Sequence, residues 1–172
     1  MPDHRRNGSV RHPGGSEAVT LGRLRGEPDR SWRHVVAERS LVLIKPDAVR
    51  RGLVGEIIGR LERKGLAIDA MRLRTMDVAL ADQHYAEHVE RDFYPPLRDF
   101  MTSGDLVALV VSGDEAIAVI RNLIGSTDGR KAAPGSIRGD FSLSNRENLV
   151  HASDSVDSAK REISLWFPEL AE

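Results

Sequence analysis

Ser40-Leu41-Val42-Leu43-Ile44-Lys45-Pro46-Asp47 is the stretch from which the rest of the chain can be read. Leu41 to Ile44 is a continuous apolar run, too short for a helix and stopped by Pro46, which reads as a buried strand. Downstream the period changes. Val54, Ile57, Ile58 and Leu61 fall on one helical face, and Gly65 supplies a left-handed stop. Leu66 to Met76 alternates well enough for a second strand. A short helix is expected over Leu80 to His88, and Pro95-Pro96 opens another toward Met101, because proline suits a first helical turn. Leu106 to Val111 is a third, strongly apolar strand. Ser112 to Asp114 is read as the cap of a helix carrying Ile117, Ile120 and Ile124.

Gly125 to Asn148 shows no period and holds several glycines and Pro134. A loop of that length inside a compact domain is usually functional. Leu149-Val150-His151 forms a short fourth strand. Asp154 or Ser155 caps a last helix with Val156, Ala159, Ile163 and Trp166 on one face, ended by Pro168. Strands and helices alternate throughout, which predicts an α/β sandwich. The alternation alone does not separate a doubly wound parallel sheet from a ferredoxin-like split βαβ; a sheet of about four strands favours the second.

Residues 1–37 break the pattern, with Gly14-Gly15, Pro2, Pro13 and Pro28 and few large apolar side chains. They are expected to be a disordered extension, and residues 38–172 the folded domain. The chain has 172 residues, 40% of them hydrophobic and 30% charged, at a net charge of -1. That balance asks for neither nucleic acid nor a membrane surface as partner. No apolar run approaches the ~20 residues that span a bilayer. With no cysteine, the chain has no disulfide, thiolate metal site or catalytic thiol, in keeping with a cytoplasmic location.

No glycine-rich phosphate loop and no H-E-x-x-H zinc pair exists. A phosphate site must then be assembled from scattered cations and helix ends. Lys45 ends the first strand, Arg121 lies near the end of the third helix, and Arg138 lies within the long loop. Taken one at a time, each is more often a solvated surface cation. His151 sits at a strand-to-helix junction, and a neutral imidazole, with its ordinary pKa of ~6.5, is a competent nucleophile toward phosphorus, although a lone histidine taken in isolation is more often a satisfied structural one. His84 and His88 stand one turn apart, a spacing that could hold metal. No third ligand is near in sequence, so a solvated or capping role is expected for them.

Asn148-Leu149-Val150-His151-Ala152-Ser153-Asp154 resembles the N-x-x-H-[GA]-S-D active-site signature of nucleoside diphosphate kinases. Ile44-Lys45-Pro46-Asp47, Arg51-Gly52-Leu53-Val54-Gly55, Gln83-His84-Tyr85, Phe93-Tyr94-Pro95, Gly135-Ser136-Ile137-Arg138-Gly139-Asp140 and Glu162 through Phe167 follow in that family's order and spacing. The resemblance covers about residues 38 to 168. It implies a ferredoxin-like βαββαβ sandwich with a four-stranded antiparallel sheet. It also implies a two-step transfer: a nucleoside triphosphate such as ATP phosphorylates a histidine, which then phosphorylates a nucleoside diphosphate.

Carried over position by position, the resemblance makes His151 the phosphorylated residue and puts Lys45 on the transferred phosphate. Arg121 and Thr127 meet the terminal phosphate, Arg138 reaches across the phosphates, Asn148 contacts the sugar hydroxyl, and Phe93 stacks on the base. Tyr85 borders the nucleophile, and Ser153 and Glu162 orient it. Mg²⁺ is expected to arrive on the nucleotide phosphates, and a homo-oligomer, tetramer or hexamer, is implied. Two departures stand out: Gly129 where many relatives have proline, and a chain that ends soon after Pro168. An alternative class, a nucleotide-binding module with incidental transfer activity, is favoured only by the extra N-terminal residues.

Overall fold

The computed structural model describes residues 37–171. The expectations for residues 1–36 lie outside the described residues. Strand β1 (Glu38–Ile44) leads into a short helix α1 (Pro46–Arg50), then α2 (Val54–Arg63) and β2 (Ala67–Thr75). Helices α3 (Val78–His84) and α4 (Tyr94–Met101) precede β3 (Asp105–Gly113). Helix α5 (Ala116–Ile124), a one-turn α6 (Ile137–Phe141), β4 (Val150–Ala152) and α7 (Val156–Trp166) complete the domain.

The four strands make one sheet in the order β2-β3-β1-β4 with every neighbouring pair antiparallel. β1 and β2 both run opposite to β3, so they are parallel to each other with β3 between them. This is the split βαβ of a ferredoxin-like sandwich. The central strands are apolar on both sides because both sides are covered. Leu41 and Leu43 pack with Phe100, Met101, Ile163 and Trp166 on one face. Val42 and Ile44 pack with Ile57, Leu61, Ile120 and Ile124 on the other. Helix α2 stops at Gly65, which takes a φ of +92° that a residue with a Cβ rarely adopts. Among the described residues no helix is long and apolar enough to cross a membrane.

Several expectations are corrected. β3 runs on through Gly113, so Ser112 to Asp114 does not cap α5; Glu115 holds that position at φ +47° with no side-chain cap bond. Extended pairing with β1 out to Glu38 claims Ser112 and Gly113 instead. The segment 125–148 is not wholly irregular: Ser136 accepts a bond from the Gly139 amide and starts α6, so Arg138 sits on a helix. The helix expected over Leu80 to His88 is α3 plus a separate 3₁₀ turn, Ala86–His88. Ser155, not Asp154, caps α7 by accepting from the Ser158 amide. Val156 faces outward at 47% exposure, while Ala159, Ile163 and Trp166 of the same helix are buried.

Candidate active site

His151 is held by its strand. It lies opposite Leu43 in the β1–β4 pairing, and the register carries Val150 and Ala152 into the core while His151 stays partly exposed. Its Nε2 lies 3.2 and 3.3 Å from the two carboxylate oxygens of Glu162. Ser153 donates to the same carboxylate at 2.6 Å. Glu162 sits on the buried face of α7, one turn from Ala159, so packing fixes the carboxylate. Burial by itself would raise its pKa; the bonds from His151 and Ser153 and the nearby imidazoles outweigh it and hold the carboxyl below its usual value. An ionised Glu162 can only accept a hydrogen bond from Nε2–H, which assigns the tautomer with Nδ1 as the lone-pair nitrogen. No protein partner for Nδ1 is found among the described residues.

The cations assemble around it. Lys45, Arg121, Arg138, Thr127, Asn148 and His151 all line one cleft of about 730 Å³, within the range of small-molecule sites. Phe93, half exposed, forms its apolar wall beside His88, with ring centres 5.5 Å apart. Tyr85 is buried with its ring 6.5 Å from that of His151. Every position expected from the sequence thus borders the cleft or, like Ser153, stands directly behind it. A second groove of about 310 Å³ runs along the start of β1 and α7, but none of these cations lines it.

Lys45 is 6% exposed and donates to the Asn148 side-chain oxygen at 2.7 Å. Burial, with Arg138 nearby, lowers its pKa to about 7 against a smaller opposing pull from Asp47. Arg138 is more embedded than a phosphate arginine needs to be. Its guanidinium donates to the carbonyls of Asn148, Gly125 and Val150, at 3.2, 2.9 and 2.5 Å. Burial and then Arg121 lower its pKa to about 10. It ties the long loop to β4 and keeps two further N–H groups for a ligand. The Asn148 amide nitrogen donates to Thr127 and Asn145 carbonyls at 2.9 and 2.8 Å.

Two features were not found from sequence. His84 is buried, not solvated, and packs edge-on against His151 at 4.8 Å between ring centres. The signal was available: His84 follows Leu80 and Ala81 by one turn, on the apolar face of α3. Trp166 donates its indole N–H to His84 Nδ1 at 3.3 Å, so the proton of a neutral His84 is on Nε2. Burial first, then His151, lowers its pKa to about 3, and it stays neutral. Donor atoms of His84, His151 and Glu162 lie within 4.8 Å of one another, a possible metal triad. Ligation through Nε2 would force a proton onto Nδ1 facing the Trp166 N–H, which opposes it.

The second feature is Leu149. This fully buried residue has φ +73°, and the Val150 amide reaches back to the Asn148 carbonyl at 2.9 Å. That is a left-handed three-residue turn, rare and strained for a branched side chain. Nothing in the composition of Asn148-Leu149-Val150 announces it.

Known proteins resemble this chain over most of its length. The family model described as nucleoside diphosphate kinase matches residues 38–171. A nucleoside diphosphate kinase of a Nocardioides species is 70% identical over 132 residues, spanning 77% of this chain and 98% of that protein. One from Rhodococcus opacus is 62% identical over 137 residues, 79% of this chain and 99% of its own. Among solved structures, a halophilic nucleoside diphosphate kinase from Halobacterium salinarum in complex with CDP superposes with a TM-score of 0.75 at 45% identity. That match covers 76% of this chain and 88% of the other.

Proposed function

The chain belongs to the nucleoside diphosphate kinase family, and we propose that His151 is the residue through which it works. The protein is an enzyme that transfers the γ-phosphoryl group of a nucleoside triphosphate to a nucleoside diphosphate, with a phosphohistidine between the two half-reactions. One observation carries the assignment of His151: Glu162 engages Nε2 and leaves Nδ1 unbonded at a cleft lined by Lys45, Arg121 and Arg138. Nδ1 attacks the γ-phosphorus in line as the bond to the leaving diphosphate breaks. The pair of electrons departs with that diphosphate, and the imidazole keeps the Nε2 proton against Glu162. The diphosphate of a second nucleotide then reverses the step.

The remaining side chains align and neutralise. Lys45 turns from Asn148 to the transferred phosphoryl group, where an anion restores its full charge. Arg121 and Thr127 meet the terminal phosphates, and Arg138 spans them with the N–H groups its carbonyl partners leave over. A sugar hydroxyl donates to the second lone pair of the Asn148 oxygen. Phe93 stacks on the base and reads no edge, so many bases are accepted. Ser153 fixes Glu162, and Tyr85 walls the nucleophile.

The carboxylates bordering the cleft suit a cation borne by the nucleotide better than one caged by protein. Glu162 is committed to His151 and Ser153, Glu87 pairs with Arg161 at 3.2 Å, and Asp154 takes side-chain hydrogen bonds from Ser158 and Ser155. We propose Mg²⁺, held by phosphate oxygens and water. When bound it would supply positive charge beside the transferring phosphoryl group. A homo-oligomer, tetramer or hexamer, is proposed because the edge strand β2 exposes Met71 and Leu73 at 58% and 66%, an edge that favours a second copy. Residues 38–172 are proposed as the catalytic domain, 1–37 as an appendage and the nucleotide-rich cytoplasm as the location.

Incubation with γ-labelled ATP tests the reading. An acid-labile, alkali-stable label is expected on the wild type and absent from His151→Gln. Label of equal amount on that variant would overturn it.

A further inference from the structure

Asp47 lies outside the machinery described so far, yet it is buried to 3% exposure directly behind the site. One of its carboxylate oxygens accepts the Leu149 amide at 3.1 Å. The other is buried without a partner among the described residues. From the same stretch of chain, the Lys45 amide donates to the Leu149 carbonyl at 2.9 Å. The residue at φ +73° is therefore gripped from both of its peptide groups by the segment that ends β1. The residues on either side of the grip carry the chemistry: Asn148 receives Lys45, and Val150 leads directly into His151.

We propose that Asp47 is a positioning residue: its carboxylate holds the Leu149 amide in the left-handed turn and so sets where Asn148 and His151 project. This rests on the phosphohistidine reading. A leucine does not stay at a positive φ unless its surroundings over-determine it. Without the acceptor, the Leu149 amide is left buried and unpaired, and the peptide relaxes by rotating toward negative φ. That rotation turns the Asn148 carbonyl off Arg138 and the 148 side chain away from Lys45. An ångström-scale displacement of an aligned group is enough to lower turnover about 100-fold.

The carboxylate has a second effect by the same geometry. Its charge opposes the loss of the Lys45 proton, while Arg138 from α6 promotes that loss; His84, from α3, is neutral and contributes no charge. Burial pushes the Asp47 carboxyl above its ordinary range, with the Leu149 amide and Lys45 pulling it back. A neutral residue at position 47 leaves Lys45 easier to deprotonate.

The experiment compares wild type, Asp47→Asn, Asp47→Ala and His151→Gln as full-length proteins. Single-turnover labelling from γ-labelled ATP, the melting temperature and hydrogen exchange at the Leu149 amide are measured across pH 6 to 9. Asp47→Ala is expected to label about 100-fold more slowly than wild type at temperatures where both are folded, with KM for ATP changed less than about threefold and the Leu149 amide deprotected. Asp47→Asn keeps an acceptor for that amide. It is expected to recover labelling at pH 6, to within about fivefold of wild type, and to lose it at a lower pH as the solution is made alkaline. Asp47→Ala labelling at the wild-type rate, or slowing only in proportion to unfolded protein, would overturn the proposal. So would an Asp47→Asn profile that superposes on wild type, or one that fails equally at every pH. If the wild type takes no label, the His151 reading fails instead.

Discussion

Replacing Lys45 by methionine should make the free protein more stable while abolishing its activity. The ammonium is buried, and its pKa falls from 10.5 to about 7. At ~1.4 kcal/mol per pH unit, holding that charge at its buried position costs about 5 kcal/mol below pH 7. Methionine fills a similar volume and leaves the Asn148 oxygen without its donor, which takes back about 1–3 kcal/mol. The net gain is about 2–4 kcal/mol, and on the order of 5–10 °C in melting temperature for a domain of this size. The pH dependence gives the stricter test. Between pH about 7 and 10.5 the unfolded wild type holds a proton on Lys45 that the folded protein has released. Wild-type stability therefore gains from this group as pH rises through that window, and Lys45→Met has no such gain. Urea unfolding of both proteins at fixed concentration, from pH 6 to pH 10, should show a stability gap that is widest at pH 6 and closes toward pH 10. A variant less stable than wild type at pH 7, or a gap that does not change with pH, would refute the reasoning.

Glu162→Gln should slow phosphorylation of His151 about 10- to 100-fold in rapid-quench measurements, since it replaces a charge-assisted bond to Nε2 with a neutral one; an unchanged rate would mean that Glu162 does not orient the imidazole. Phe93→Ala should raise KM by similar factors for purine and pyrimidine diphosphates, about 1–3 kcal/mol of lost stacking, with kcat little affected; a loss confined to one base would point to edge recognition. Ser155→Ala should cost about 1 kcal/mol in urea unfolding with activity retained, because Ser155 caps α7 and does not line the cleft. Gly139→Ala should disrupt α6 and reduce soluble expression, since a Cβ there would collide with the Ala133 carbonyl oxygen.

Much of the fold was legible because the period of the apolar residues is a local property. Leu41 to Ile44 and Leu106 to Val111 read as strands from their own composition, and the helical faces of α2 and α5 from theirs. Boundaries failed where a neighbour decided them. Ser112 looks like a cap until Arg39 pairs with it across the sheet. Val156 matches the apolar face of α7 by spacing, yet stays exposed where Ala159 and Ile163 are buried. In the site, His84 was expected to be solvated although it follows Leu80 and Ala81 by one turn on the face of α3 that packing buries.

The sequence by itself offered one histidine at a strand end and three cations at element boundaries as candidates, and the resemblance to a family added the stacking ring and singled the set out. Only tertiary structure decided how they act. Lys45 and Asn148 meet across 103 positions, and Asp47 reaches Leu149 across 102. Which imidazole nitrogen is free depends on a carboxylate from another helix. Such contacts form when the sheet closes. Their energies depend on burial and on angle, and neither quantity exists for a residue considered along the chain alone.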